Sequence, residues 1–203
     1  MSGPNNTSSG GFLKPNPQPP TLVTTPPNLT FTEFLQNLLM NLSGFPGPFV
    51  RPEWQQKPPK QPEVNQNWLA FGLDGVNPDF NAYVGYDKNH NPFMQRNEFF
   101  GLVLSIYGPN SYDNYGLIRD GFQLTQNLTT LKAANIGFAY DSQALHVPEL
   151  INEIWYDKWR VTFYMRRQLQ RLYPILTFLT ASGTIYANNQ STDTVTLPIA
   201  VEE

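Results

Sequence analysis

The sequence predicts an α+β fold: a mixed, largely antiparallel sheet flanked by helices, with an extended proline-rich N-terminal arm. Three observations predict it. A run with helical apolar spacing precedes residue 45, and several runs that alternate between apolar and polar residues follow residue 67. Thirteen of the nineteen prolines lie within residues 1–62, so the start of the chain differs in character from the rest.

The composition bounds the class of protein. The chain has 203 residues, which suits one domain with extensions. It has no cysteine, which excludes disulfides and thiolate sites, and its two histidines, His90 and His146, are too few for a histidine-rich metal site. The net charge of −3 argues against a globally basic nucleic-acid binder. No apolar run approaches the ~20 residues of a membrane span, and the N-terminus lacks the regions of a secretion signal. We therefore expect a cytoplasmic protein with no cofactor and no membrane partner.

The N-terminal arm covers residues 1–28, which combine Ser, Asn, Gly and Pro with few apolar residues. Such a segment buries too little surface to offset the entropy lost on ordering. Two interpretations stay open. The arm is a disordered tail, or it docks on a neighbouring molecule through Phe12, Leu13, Leu22 and Val23.

A helix is predicted within residues 28–44. Thr30 and Glu33 have the spacing of a capping box, and Gly44 followed by Pro46 supplies the stop. The apolar stripe of this helix consists of Phe31, Phe34, Leu35, Leu38, Leu39 and Leu42. Its spacing predicts packing against a core or another subunit.

A second proline-rich segment, residues 45–66, follows this helix. A loop of this length inside a compact domain is unusual and is generally either a linker or a binding loop. We expect Trp54 and Phe49 to pin it to the domain.

The middle of the chain predicts strands and then helices. Strands are predicted at 67–73, 78–87 and 94–107, the last two forming a hairpin about a turn at 87–92. The next elements are a helix from Asn110 or Ser111, a break near 121–125, a short helix at about 126–134 and a strand at 136–140.

The stretch from Tyr156 to Leu169 is predicted to be a long strand. Alternation would place one set of side chains inward, namely Trp155, Trp159, Val161, Phe163 and Met165. The opposite set would face outward, namely Tyr156, Lys158, Arg160, Thr162, Tyr164 and Arg166. A turn near Tyr173 and a strand at 175–187 would complete an antiparallel pair with a basic outer face.

No catalytic constellation is recognisable. Asp74, Asp79 and Asp87 have no spacing that pairs them as acid and base, and His146 is interpreted as a structural donor. The alternative, a glycan-cleaving enzyme, would require Asp74, Asp79 and Glu98 to meet in a cleft. We expect that the protein is not an enzyme.

Five cations lie within fourteen residues that contain no acid, namely Lys158, Arg160, Arg166, Arg167 and Arg171. Three interpretations of these cations stay open. They form a solvated outer face, a surface that pairs with acidic residues of a neighbouring copy or partner, or a contact with DNA. The candidate interface comprises these five residues together with Trp54, Phe12 and Leu13.

The strings VRPEWQ, NWLAFGL, FFGLVLSIYGPNSYDNYGLIRDGFQL and HVPELINEIWYDKWRVTFYMRRQLQR resemble the neck and tail-terminator proteins of tailed bacteriophages. The resemblance covers residues 45–187. It implies a small domain, residues 29–189, between the arm and a C-terminal tail, residues 190–203.

The resemblance also implies a function for the domain. Six copies would form a ring on the head-proximal end of the tail tube, stop its growth and join it to the head connector. The implied partners are other copies, the tail tube protein and the head connector or neck proteins, with genomic DNA passing through the ring without sequence-specific binding. The implied location is the virion neck, assembled in the host cytoplasm. The alternative is another phage structural protein of the tail tube, baseplate or head decoration.

Overall fold

A computed structural model describes most of the chain from Thr30 onward. The described parts are residues 30–88, 92–151 and 153–173, with the backbone alone of 180–186 and 192–198. The predicted arm, with Phe12 and Leu13, lies outside the described residues.

The described residues form helices on a mixed sheet, which confirms the α+β class. The helices are α1 Phe31–Ser43, α2 Ser111–Gln123 and α3 Thr125–Ala133. The strands are β1 Val50–Pro52, β2 Trp68–Pro78, β3 Tyr83–Tyr86, β4 Pro92–Tyr107, β5 Ile136–Asp141, β6 Leu145–His146, β7 Glu149–Ile151, β8 Ile154–Tyr156, β9 Lys158–Leu172, β10 Thr180–Tyr186 and β11 Thr192–Pro198. None of the helices described here is long and apolar enough to cross a membrane.

Helix α1 begins and ends where its sequence predicts. The Thr30 hydroxyl accepts a hydrogen bond from the Glu33 amide, and the Glu33 carboxylate accepts one from the Thr30 amide at 2.7 Å, which completes the capping box. Gly44 ends the helix with φ of 71°, a left-handed conformation that glycine adopts without steric cost. The predicted apolar stripe is the buried face of the helix.

The main sheet has the strand order β1-β2-β4-β9-β5, with β3 added beside β4 and β6 beside β9. All pairs are antiparallel except β1 with β2. Strands β4 and β9 form a ribbon of fifteen residue pairs, from Phe93 opposite Leu172 to Tyr107 opposite Lys158. The predicted hairpin is confirmed as β3 and β4.

The helices cover one face of the sheet, called the inner face here. The core between them contains Leu35, Leu39, Leu69, Phe100, Leu102, Leu104, Ile106, Ile118, Phe122, Leu131, Val161, Phe163 and Met165, among others. The opposite, outer face carries a smaller buried cluster of Trp68, Ala70, Tyr107 and Tyr156. The Lys158 end of the ribbon is called the core end. The other end, where β3, β4 and β9 extend past β2 and β5, is called the tongue.

The predicted alternation of the long strand is confirmed for β9 but not for β8. Val161, Phe163 and Met165 are buried on the inner face. Trp155, however, is 65% exposed and Tyr156 is buried, which reverses the prediction at these two positions. Strand β8 pairs with β7 in a separate hairpin, and the Tyr156 side chain enters the small cluster on the outer face.

The predicted pairing of 156–169 with 175–187 is wrong. Strand β10 pairs with β11 in a separate two-stranded sheet, because β9 is already paired with β4 on one side and with β5 and β6 on the other. The strand predicted at 78–87 is also interrupted: β2 continues through Pro78, and β3 begins at Tyr83.

The proline-rich loop is attached to the outer face, but not through Trp54. That side chain is 87% exposed, so its predicted anchoring role is wrong. Phe49 is half-buried against the small cluster, as expected of an anchor. The loop is also held by Pro62, which is buried and whose carbonyl accepts a hydrogen bond from the Tyr156 hydroxyl at 3.4 Å. The loop therefore covers the outer face at the core end.

Candidate interaction surfaces

The five predicted interface cations do not share one face. Lys158, Arg160 and Arg166 alternate with the buried residues of β9 and lie on the outer face. Arg167 and Arg171 have the same parity as the buried Leu169, which places them on the inner-face side of the strand. The predicted basic patch is therefore divided between two faces.

Arg167 forms an internal ion pair. Its guanidinium contacts the Glu98 carboxylate at 2.6 Å, and both side chains are largely buried. The same guanidinium lies 4.1 Å from the centre of the Phe31 ring and 5.7 Å from that of Phe100. These contacts attach the start of α1 to the sheet, a structural role within the chain.

Lys158 also pairs within the chain. Its ammonium lies 2.9 Å from the Glu149 carboxylate, which also accepts a hydrogen bond from the Tyr107 hydroxyl at 3.1 Å. The hydrogen bond from Lys158 lowers the pKa of Glu149. Burial tends to lower the pKa of Lys158, but its contacts with Glu149 and Tyr107 outweigh burial and raise it. Arg160, more exposed, lies 3.3 Å from the Glu53 carboxylate.

Two of these five cations, Arg166 and Arg171, have no carboxylate partner among the described residues. The exposed Arg166 guanidinium lies 6.0 Å from the centre of the Phe99 ring. Phe99 stacks on Tyr164 with centroids 5.7 Å apart, and Tyr164 packs on Tyr140 at 4.7 Å. The outer face beside the tongue is therefore an aromatic surface with a free cation.

A shallow cleft of about 910 Å³ crosses the outer face at this aromatic surface. It extends over β2, β4, β9 and β5, because each of these strands contributes to its lining. The lining residues are Asn77, Pro78, Asp79, Asn97, Glu98, Phe99, Lys132, Asn135, Ile136, Gly137, Tyr140, Arg166, Arg167 and Gln168. The cleft was not predicted, because its residues come from four separated segments of the chain.

Exposed apolar side chains cluster at both ends of the ribbon. At the core end the hairpin patch consists of Leu145, Val147, Leu150, Ile154 and Trp155. At the other end the tongue patch consists of Tyr83, Val84, Tyr86 and Leu172. One feature of the sequence indicates the tongue patch. Apolar or aromatic residues occupy both sides of the alternation at 83–86, and a strand whose sheet is covered on one face leaves one of these sides exposed.

The polar groups considered for an active site make contacts within the chain. The Asp157 carboxylate lies between the His146 imidazole and the Ser111 hydroxyl, which donates to it at 2.8 Å. The carboxylate thus separates serine from histidine, unlike a nucleophile next to its base. Asp79 accepts hydrogen bonds from the Asn97 amide and side chain. Within the described parts of the chain, no cluster of three or more potential ligands could hold a metal ion.

The family described as phage neck terminator protein matches residues 30–190 of this chain. The match confirms the resemblance to neck and tail-terminator proteins and covers nearly all of the described domain. No curated protein matches the sequence. With helices on a mixed sheet and extensive exposed apolar surface, the chain is a structural protein of the phage neck, and it belongs to the phage neck terminator protein family.

Proposed function

We propose that six copies of this chain form a ring at the head-proximal end of the phage tail tube. The ring stops growth of the tube and joins it to the head connector, and the genomic DNA passes through it without sequence-specific binding. Family membership supports a place in the neck. The observation that carries the ring itself is the pair of exposed apolar patches at opposite ends of the β4–β9 ribbon.

A closed ring requires two different surfaces on each subunit, because each copy contacts one neighbour with one surface and the next neighbour with the other. The hairpin patch and the tongue patch meet this requirement. They are separated by the fifteen-pair ribbon, which at about 3.3 Å per residue is roughly 50 Å long. Clusters of exposed apolar side chains are typical of interaction sites in proteins.

Polar contacts would complete each interface. Arg166 and Arg171 have no carboxylate partner among the described residues, and Trp54 is exposed on the proline-rich loop. Tryptophan and arginine are the side chains that most often dominate interface energies. In this proposal Lys158, Arg160 and Arg167 stabilise the subunit through their ion pairs within the chain, and they contribute less to contacts with neighbouring copies than Arg166 and Arg171 do. Among the described residues, the interface thus keeps three of the predicted ones, Trp54, Arg166 and Arg171.

The ring would be assembled in the host cytoplasm and end in the virion neck. The chain has no cysteine, so its assembly does not depend on disulfide formation. The tail tube protein and the head connector or neck proteins would contact the two rims of the ring.

Two variants test the ring directly by native mass spectrometry. Trp155→Asp places a charge in the hairpin patch, and Tyr86→Asp places one in the tongue patch. Each variant alone should be monomeric. An equimolar mixture should form dimers and nothing larger, because one intact hairpin patch can still bind one intact tongue patch.

The matched control is Leu117→Asp, which changes an exposed apolar side chain on α2, outside both patches, and should leave the ring intact. Rings formed by either patch variant, or a wild-type chain that stays monomeric with tail tubes present, would contradict the proposal. Negative-stain imaging of the assembled particle then shows where the copies of this chain lie. Copies along the tube, on the baseplate or on the head would support the alternative structural role.

A further inference from the structure

The floor of the outer-face cleft is a preformed aromatic surface. Phe99 and Tyr140 line it, and Tyr164 packs against both rings, parallel to Phe99 within 5°. Beside them Gly137 leaves the cleft open, because a Cβ built there would meet no atom within 4 Å. A flat, half-exposed floor of this kind suits a ligand with rigid apolar rings.

Besides Arg167, the walls of the cleft carry two cations. Lys132 and Arg166 line it, and neither has a carboxylate partner among the described residues. The Asp79 carboxylate also lines the cleft; its Oδ1 has no hydrogen-bond partner and lies 3.9 Å from the Arg96 guanidinium. The cleft therefore suits a ligand whose carbonyl groups accept hydrogen bonds from Lys132 and Arg166 and whose single cation pairs with Asp79.

Residues 14–20 of this chain, KPNPQPP, have this chemistry. Four of the seven residues are prolines, which provide carbonyl groups but no N–H donors. A polyproline II helix has three residues per turn, so Lys14, Pro17 and Pro20 would lie along one edge, about 9 Å apart. Aromatic grooves bind such segments because the helix is largely preformed and loses little entropy on binding. Lys14 is also the only charged side chain in residues 1–28.

The arm joins the domain at the start of α1, which packs on the inner face, so the arm must pass the edge of the sheet to reach the cleft. The Arg167 guanidinium lies 4.1 Å from the ring of Phe31, the first residue of α1. The ten residues from Pro20 to Thr30 can span up to roughly 35 Å when extended. A tethered segment also has an effective concentration of about a millimolar near its site, which favours binding to its own chain.

We infer that the outer-face cleft binds residues 14–20 of the chain's own N-terminal arm. Pro17 and Pro20 pack on Phe99 and Tyr140. Lys14 pairs with Asp79. The peptide carbonyls accept hydrogen bonds from the Arg166 and Lys132 side chains at the walls. This inference shares Arg166 with the ring proposal, but it concerns a contact within one chain, and its test does not depend on ring formation.

A distance measurement between two spin labels tests the inference in the full chain. The protein has no cysteine, so Asn16→Cys and Thr129→Cys give two unique labelling sites, one in the arm and one on exposed α3. Double electron–electron resonance, recorded with excess unlabelled chain so that labelled copies rarely lie next to one another, should give one narrow distance. A broad distribution would overturn the inference. A narrow distance lost on dilution would also overturn it, because the arm would then occupy the cleft of another copy.

Gly137→Leu identifies the cleft as the binding site. The side chain enters open space, so the thermal unfolding midpoint should hold while the distance distribution broadens. Gly116→Leu on α2, also free of contacts within 4 Å, is the matched control and should keep the narrow distance. Pro17→Ala with Pro20→Ala changes only the arm and should broaden the distribution as well. A narrow distance retained in both the Gly137 and the proline variants would place the arm elsewhere.

Discussion

The two ends of the β4–β9 ribbon share one pairing pattern but differ in how they are covered. At the core end, helices cover the inner face, and the proline-rich loop with the β7–β8 hairpin covers part of the outer face. At the tongue, β9 has β4 as its only strand partner beyond Arg167 among the described residues, and its side chains are mostly half-buried or exposed. Strand alternation therefore selects the face of a side chain, while the layers above and below decide its burial.

The largest expected difference between the two ends comes from removing an apolar side chain. Phe163→Ala, at a position with no exposed surface, should lower the free energy of unfolding by about 3–5 kcal/mol. Leu172→Ala, at a tongue position that is 37% exposed, should cost less than about 1 kcal/mol. Urea denaturation of both variants measures this. Equal losses would show that the tongue is packed as tightly as the core end.

Arg166 and Arg167 are neighbours in the sequence but lie on opposite faces of the sheet, so substitutions at these two positions compare the faces directly. Arg167→Ala leaves the buried Glu98 carboxylate without its partner and should cost about 3 kcal/mol in urea denaturation. Arg166→Glu changes an exposed side chain on the opposite face, so it should leave the subunit folded and weaken its association with neighbours. If Arg166→Glu unfolded the chain and Arg167→Ala did not, the assignment of Arg166 to the outer face and of Arg167 to the inner face would be wrong.

A smaller effect is expected for Trp159, at the edge of the core end. The ring is half-buried on the inner-face side, where it packs 4.7 Å from Tyr112 and 5.0 Å from His146. Trp159→Ala should therefore cost about 1–2 kcal/mol, less than a fully buried aromatic. Thermal and urea unfolding can rank it against Phe163→Ala, and a cost as large as that of Phe163→Ala would contradict this placement.

The smallest effect concerns the pH dependence of the Glu149–Lys158 pair. The lowered pKa of Glu149 means that its stabilisation is present above about pH 4.3 and lost as pH falls through the folded-state value. The raised pKa of Lys158 means that its stabilisation is present below about pH 10.4 and lost as pH rises further.

The difference in unfolding free energy between wild type and Glu149→Gln should therefore be largest between about pH 5 and 10. It should stay below about 1 kcal/mol, because the Glu149 side chain is 43% exposed and screened by solvent. Urea denaturation at pH 3, 7 and 11 would measure it. A difference that persists unchanged at pH 3 would exclude this pair as its source.

Local signals in the sequence predicted the elements well. The cap at Thr30, the stop at Gly44 and the alternation of Val161, Phe163 and Met165 each depend on a few consecutive residues, and each is confirmed. The break between α2 and α3 is likewise confirmed at Leu124.

Long-range relations were less accessible to the sequence. The partner of β9 was predicted to be the next strand, but β4, about sixty residues earlier in the chain, pairs with it instead. Trp54 was expected to anchor the proline-rich loop and Trp155 to face inward by strand alternation, yet both are exposed because no layer of the described residues covers them. The Glu98–Arg167 pair and the cleft depend on the same long-range pairing, so the sequence could not predict either.

The central position of β9 also has a consequence for biosynthesis. Strand β5 has β9 as its only strand partner among the described residues, and the inner-face core includes side chains from β9. Until that late segment leaves the ribosome, the earlier elements lack the surface on which they pack. The domain is therefore expected to fold only after most of the chain has been translated, at the slow rate typical of high contact order. Subunits that are still being synthesised would then lack competent contact surfaces, which confines oligomer formation to finished polypeptides.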